Sequence, residues 1–349
     1  MSSSSSSNTP KEIPPPARDA NGTKIEMRPF YDEKDLRSVR YIFYSTYYDL
    51  VPQGVRLLLL NPVVTGTWVA ISAFLFWFIP QQLADLGWSV GFITGAKIVL
   101  GIGCLGCGIL ALIWYVDRAI VGPRVMEALD YDMADNLGEY YRKDNGQFWV
   151  FTIGDRQVGC IGVDCHQEPV MRKAVSTEKP NLAGSADIQN AKWKRTAYVM
   201  ARIDDTVRGI VMSFDQWIRG KPASQEPSVL YKAHKKNEAS IRRLAVLLEV
   251  QKKGLSTPLL KRAAFWAHAH EKDYLYAETN ELEERLADIL SKRHGYTLES
   301  VTRTGRFIGY KKLWKLDVKL WMSKELERRN REKEQEDQKK EEEELKEYS

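Results

Sequence analysis

The sequence predicts an α/β fold that carries an inserted pair of long apolar helices. Three observations lead there. Ile241 to Leu248 is a near-continuous apolar run, broken only by Arg242 and Arg243, and a glycine-containing turn and a helix-forming stretch follow it. Gln147–Ile153 and Gln157–Cys165 read as two strands of a hairpin around Gly154-Asp155-Arg156. Leu57–Ile79 and Gly91–Val116 are apolar over lengths that match a bilayer, with Lys97 the one charge in the second.

Composition narrows the function classes. The chain has 349 residues, with Lys+Arg 51 against Asp+Glu 46, a net charge of +5. That is room for one large domain or two small ones, and too mild a basicity to indicate nucleic acid. Cys104, Cys107, Cys160 and Cys165 suit structural positions better than a disulfide framework, and the 5 histidines complete no zinc pattern. Nothing in the composition reports an oligomeric state.

Residues 1–23 are rich in Ser, Pro and Asn, have little to bury, and are expected to be disordered. They lack the apolar segment of a secretory signal. Lys24–Pro29 reads as a strand and Glu33–Tyr48 as a helix with an aromatic face. Residues 55–116 are then expected to form a transmembrane helical hairpin, with Asn61 and Pro62 kinking its entry and Pro80–Val90 making the turn. Gly101, Gly103, Gly106 and Gly108 would allow close helix contact. Arg56, Arg118 and Arg124 flank the outer ends, whereas the connecting loop carries only Asp85. The positive-inside tendency therefore places both termini in the cytosol, although Lys97 lies toward the loop side.

Arg118–Tyr141 reads as one or two helices leading into the strand hairpin. Residues 166–236 form an insertion, polar and partly disordered at first, expected either to border the active site as a lid or to be a surface excursion. In the strand–turn–helix unit, Thr257 and Pro258 open the helix. Leu259, Leu260, Ala263 and Ala267 give that helix its packing face. Free N–H groups and the positive dipole end converge at this turn, which makes it an anion site suited to a pyrophosphate. Tyr274–Thr279 reads as the next strand, and Leu282, Leu286, Ile289 and Leu290 as a helix ending at His294-Gly295-Tyr296. From Phe307 to Met322 alternation returns, with Trp314, Leu316, Val318 and Leu320 on one strand face. Residues 323–349 are a charged tail without an apolar stripe, expected to be a solvated helix.

Gln251-x-x-Gly254-x-Ser256 after an apolar strand resembles the acetyl-CoA signature of the GNAT acetyltransferases, Gln/Arg-x-x-Gly-x-Gly/Ala. The ending His294-Gly295-Tyr296 is similar to that family's Leu-Gly-Phe. The resemblance covers Ser240–Tyr296 and implies a GNAT-like mixed central sheet flanked by helices, built from residues 24–54 and 118–322. It also implies acetyl-CoA as cofactor and an amine as acceptor. Because a two-helix hairpin interrupts the early helical part, the layout resembles the membrane-bound camello-like N-acetyltransferases. That implies a bilayer of the endoplasmic reticulum or Golgi.

Acetyl transfer needs an anchored donor, a polarised carbonyl, a deprotonated amine and a protonated leaving thiolate. Backbone N–H groups of Lys253, Gly254, Leu255, Ser256 and Thr257 would hold the pyrophosphate after Gln251, with Lys252 and Lys253 adding charge. The resemblance implies that backbone at Leu244 and Val246 pairs with the pantetheine arm, and that N–H groups from Val246 to Leu248 polarise the thioester. The family's strand glutamate falls at Ser240 here, so Glu238, on the same face, is the candidate general base. Its leaving-group tyrosine falls at Ser291, leaving Tyr296, His294 and Tyr276 as alternatives. Two rival readings stand beside the enzyme. One is a catalytically degenerate binding or scaffold protein, and the other is a membrane-shaping hairpin protein that leaves the turn unexplained.

Overall fold

The computed structural model describes residues 24–172, 206, 209, 229–304 and 309–347. The start expected to be disordered, 1–23, and the bulk of the insertion lie outside the described residues. The chain forms β1 (Ile25–Pro29), α1 (Asp32–Tyr48), α2 (Val51–Leu60), α3 (Pro62–Asp85) and α4 (Val90–Tyr115). A π-helical turn (Val116–Val121), α5 (Gly122–Asp130), α6 (Leu137–Arg142), β2 (Gln147–Ile153) and β3 (Arg156–Asp164) follow. β4 (Val170–Met171) and β5 (Val229–Tyr231) pair as a small ribbon at the two stems of the insertion. Next come β6 (Glu238–Val246), α7 (Ser256–Ala269), β7 (Tyr274–Asn280), α8 (Glu284–Asp288), a π turn (Ile289–Arg293), β8 (Thr297–Arg303), β9 (Tyr310–Asp317) and α9 (Val318–Glu347).

Seven strands make one mixed sheet in the order β1-β2-β3-β6-β7-β9-β8, and β6–β7 is its parallel pair. Gly154, at φ +61°, closes the β2–β3 hairpin, a backbone conformation that costs glycine nothing. Two cores sandwich the sheet. Trp149, Leu259, Leu260, Trp266, Leu275 and Trp321 form one with α7 and α9. Phe43, Leu58, Val116, Leu137, Tyr141 and Phe148 form the other with α1, α2 and α6. The strand β6 serves both through a bulge. Gly162 faces Arg243 and Val163 faces Ile241, so Arg242 is an extra residue. Arg242 and Arg243 consequently point to one side, Arg242 onto the Tyr231 ring at 3.8 Å and Arg243 onto Phe43 at 5.2 Å.

Three expectations are corrected. The apolar run Leu57–Ile79 is not one span. Asn61 breaks it by accepting hydrogen bonds from Val63 and Val64 N–H, with Pro62 opening α3. Leu58 is fully buried and belongs to the domain core, while α3 runs on to Asp85. The turn is shorter than Pro80–Val90, because Gly87 at φ +76° reverses the chain between α3 and α4. Val318 and Leu320 lie in α9 rather than in the closing strand. That helix docks before it enters solvent, since Glu325 bonds Lys261 at 2.8 Å and Trp321 meets Phe265 at 5.2 Å.

Helices α3 and the α4–α5 continuation are long and apolar enough to cross a membrane, and 6% of each apolar window is buried. A core helix of a soluble domain would be mostly buried. Trp68 seats against Gly108 and its indole N–H donates to the Cys104 carbonyl at 3.3 Å. Phe76 covers Gly101, whereas a Cβ at Gly103 or Gly106 would meet no atom within 4 Å, so half of the glycine face is used.

Candidate active site

The parallel pairing of β6 with β7 runs from Glu238↔Tyr274 to Ile241↔Ala277 and stops there. Beyond that point β6 pairs only with β3, as far as Val246↔Gly159, and β7 only with β9, as far as Asn280↔Lys311. A wedge opens between the strands where the Arg242 bulge adds local twist. Leu247 N–H bonds the Val158 carbonyl on the β3 side at 2.8 Å. Alternation along an antiparallel strand therefore turns the backbone polar groups of Leu244 and Val246 into the wedge. The Val246 carbonyl there accepts Gln251 Nε2 at 3.0 Å and lies 3.1 Å from Thr46 Oγ1, whose one proton the Ile42 carbonyl also takes at 2.8 Å. The Gln251 side chain thus ties the turn back to the end of β6.

The turn lies at the open end of the wedge. Lys252 at φ +63° and Gly254 at φ +80° bend it, and a Cβ on Gly254 would face open space. Helix α7 starts with no acidic residue in its first turn and no side-chain cap. Among the described residues no acceptor takes the N–H groups of Lys253, Gly254, Leu255 or Ser256, while Thr257 N–H is taken by the Gly254 carbonyl at 3.0 Å. Four amides and a bare helix start fit a diphosphate, with Lys252 and Lys253 exposed beside them. Thr257 is the one member of the expected amide set already used.

Glu238, Ser240 and Tyr276 share the face of the sheet toward α1 at the closed end of the wedge, Ser240 directly opposite Tyr276. Glu238 accepts Lys235 N–H at 3.2 Å and its other oxygen lies 3.8 Å from Lys235 Nζ. Burial, then the Glu238 charge, pushes the Tyr276 hydroxyl up to about 12. His294 and Tyr296 are brought to neither group. Both are buried on the α7–α9 side, near Lys261 and Glu325 for His294 and within the apolar core for Tyr296. Ser291 Oγ donates to the Ala287 carbonyl at 3.0 Å.

Sequence reasoning missed His234. Its Nε2 lies 2.9 Å from Ser240 Oγ, and its backbone N–H donates to the His166 carbonyl at 2.8 Å. No spacing rule signals this pair, since the loop before β6 and the end of β3 create it. Burial and the Arg242 guanidinium hold the His234 imidazole below its usual value. Around it, Asp164 contacts His166 Nδ1 and accepts Arg242 at 2.9 Å. Burial alone would raise the Asp164 carboxyl, but those two partners hold it well below the carboxylate range. A second carboxyl at the wedge, Glu283, accepts Asn280 N–H at 3.0 Å, and burial raises it. No metal-holding group of three or more His, Cys, Asp or Glu side chains occurs among the described residues.

Residues 170–296 match the model of the acetyltransferase (GNAT) family. That segment contains both walls of the wedge and the turn, and the fold is GNAT-like, a mixed sheet flanked by helices. No curated protein matches the sequence. Among solved structures, one described as an acetyltransferase of the GNAT family from Desulfovibrio desulfuricans aligns at 11% identity and TM-score 0.34, covering 84% of this chain and 99% of that one. A GNAT family acetyltransferase from Elizabethkingia anophelis with acetyl-CoA bound aligns at 11% and 0.29, over 54% and 86%. The ribosomal-protein-S18-alanine N-acetyltransferase from Escherichia coli aligns at 10% and 0.29, over 53% and 77%.

Proposed function

We propose that the protein is a membrane-anchored N-acetyltransferase that moves the acetyl group of acetyl-CoA to an amine. The observation that carries this is the wedge. A strand edge with unpaired backbone at Leu244 leads to a turn whose amides from Lys253 to Ser256 have no acceptor among the described residues. An extended thioester arm suits the edge, and a diphosphate suits the turn. The acetyl carbonyl would then face strand amides fixed before the reaction begins, the arrangement that stabilises a developing oxyanion most.

The anchor is the α3–α4 hairpin, whose exposed Phe74, Trp77, Ile98, Val99 and Ile102 suit hydrocarbon. Arg56, Arg118 and Arg124 support a cytosolic domain with both termini on that side. The similarity to camello-like enzymes supports the endoplasmic reticulum or Golgi. A catalytically degenerate scaffold is the second reading, favoured by serines at 240 and 291, where the resemblance implies a glutamate and a tyrosine.

Calorimetric titration of the detergent-purified full chain with acetyl-CoA tests the proposal. Absence of binding at millimolar concentration sinks it. Binding without thiol release across a panel of amines selects the scaffold.

A further inference from the structure

We propose that Ser240 and His234 take up the proton that the acceptor amine must lose, Ser240 Oγ passing it to His234 Nε2. The inference rests on the acetyltransferase reading and assigns the missing base within that site.

Position is the first argument. Ser240↔Tyr276 is the last pair but one before β6 and β7 part, so Ser240 stands at the inner end of the wedge. It shares its face with Arg242, whereas Ile241 and Leu244 turn to the opposite core. An acceptor nitrogen approaching the thioester from that face meets the Ser240 hydroxyl. Glu238 lies one pair further from the opening than Ala239 and is held by Lys235.

Geometry and charge are the second. The Nε2–Oγ separation is 2.9 Å, and the His234 main chain is held by its N–H bond to the His166 carbonyl. With its proton on Nδ1, the ring accepts at Nε2 from the Ser240 hydroxyl. The charged and titratable groups facing it are Arg242 and Glu238 on β6 and Asp164 and His166 at the end of β3. Burial and Arg242 outweigh the two carboxylates, so the ring is neutral and ready to accept a proton at pH 7.

The step balances. The ammonium loses one proton through Ser240 to His234, and its nitrogen lone pair forms the bond to the thioester carbon. The C–S bond breaks, and the thiolate takes the second amine proton. His234 then gives its proton to water. One ammonium and one thioester yield one amide, one thiol and one free proton.

The test uses the full chain in detergent with acetyl-CoA and three probe amines: n-butylamine, N-α-acetyl-lysine and aniline. His234→Gln is expected to lower kcat/KM for the two alkylamines about 100-fold. Acetyl-CoA affinity is expected to stay the same. Aniline, which arrives neutral, should lose much less. The wild type is expected to show an acidic limb in kcat/KM below pH 6.5, the ordinary histidine value. That limb should vanish in His234→Gln and in Ser240→Ala and persist in Glu238→Gln. Imidazole added to His234→Ala should restore turnover, which a merely structural histidine would not show. Retention of rate and limb in His234→Gln overturns this inference and leaves the proposed function standing. Bound acetyl-CoA with no transfer to any amine by the wild type overturns both.

Discussion

Arg243 grips Asp132 with two hydrogen bonds, 2.6 Å from Nε and 2.7 Å from Nη2, and Asp132 is fully buried. Tyr141 and Tyr231 hydroxyls bond the same carboxylate at 3.0 and 3.1 Å. Two stretches distant in sequence, 132–141 and 231–243, meet at this one carboxylate. Asp132→Ala would leave a buried guanidinium without its counter-charge, held by the Tyr231 hydroxyl at 2.8 Å and the Phe43 ring, and is expected to cost roughly 3–5 kcal/mol. Urea unfolding measures it, and a loss below about 1 kcal/mol would mean that water replaces the carboxylate.

The turn offers a cleaner test. Gly254→Val places a branched residue at φ +80°, a left-handed conformation costing about 1–2 kcal/mol, although its Cβ meets no protein atom. The added bulk faces only the space assigned to the diphosphate. Acetyl-CoA binding should weaken tenfold or more while the unfolding temperature falls by a few degrees. Equal affinity in the variant would remove the diphosphate from this turn.

Gln251 Nε2 donates to the Val246 carbonyl, and the one Thr46 proton is divided between that carbonyl at 3.1 Å and the Ile42 carbonyl at 2.8 Å. Each single change, Thr46→Val and Gln251→Leu, is expected to cost about 1 kcal/mol, and the double variant more than the sum, because only then is the carbonyl orphaned. A double-mutant cycle on unfolding free energy reads the coupling. Strict additivity would show that the two bonds are independent.

Stability should fall with acid in two stages. Burial, then Lys261, brings His294 from 6.5 to about 4, so the unfolded chain binds more protons between those values and stability drops as pH falls through them. Burial alone would raise Glu325, but Arg328 and Lys261 hold it at about 2 against the usual 4.5, adding a second loss below pH 4.5. Urea midpoints from pH 7 to 3 should slope downward, and His294→Gln should flatten the part above pH 4. An unchanged slope in that variant would assign the acid sensitivity elsewhere.

Membrane insertion has its own readout. The full chain should remain in the pellet after alkaline carbonate extraction, and the turn around Gly87 should be shielded from protease added on the cytosolic side. Release by carbonate would reduce the hairpin to a surface contact.

The sequence revealed those parts of the fold in which a local pattern matches a local structure. The β2–β3 hairpin, the β6–turn–α7 unit and β7 stand where alternation, glycine and helical spacing placed them. Asn61 was visible but its strength was not, because an apolar run does not show where one helix ends and the next is capped. β8 escaped notice since every residue in it is exposed and no buried face imposes alternation. Val318 looked like strand because alternation ran past the true start of α9. His234 was invisible for a different reason. Its partnership with Ser240 exists only once the insertion stem folds back beside β3.

The residue added at position 242 reverses the parity of its strand. Up to Ile241 the odd-numbered side chains Ala239 and Ile241 enter the α7 core; after the bulge the even-numbered Leu244 and Val246 do so, leaving Ala245 and Leu247 to the α1 side. Excising that one amino acid would restore plain alternation, with Ile241 and Leu244 still toward the α7 core and Arg243 and Ala245 still toward α1. It would take away the guanidinium that pairs with Asp164 and the twist that parts β6 from β7. A strand one residue shorter would thus keep every neighbour on its present side and still close the gap in which the thioester arm is proposed to lie.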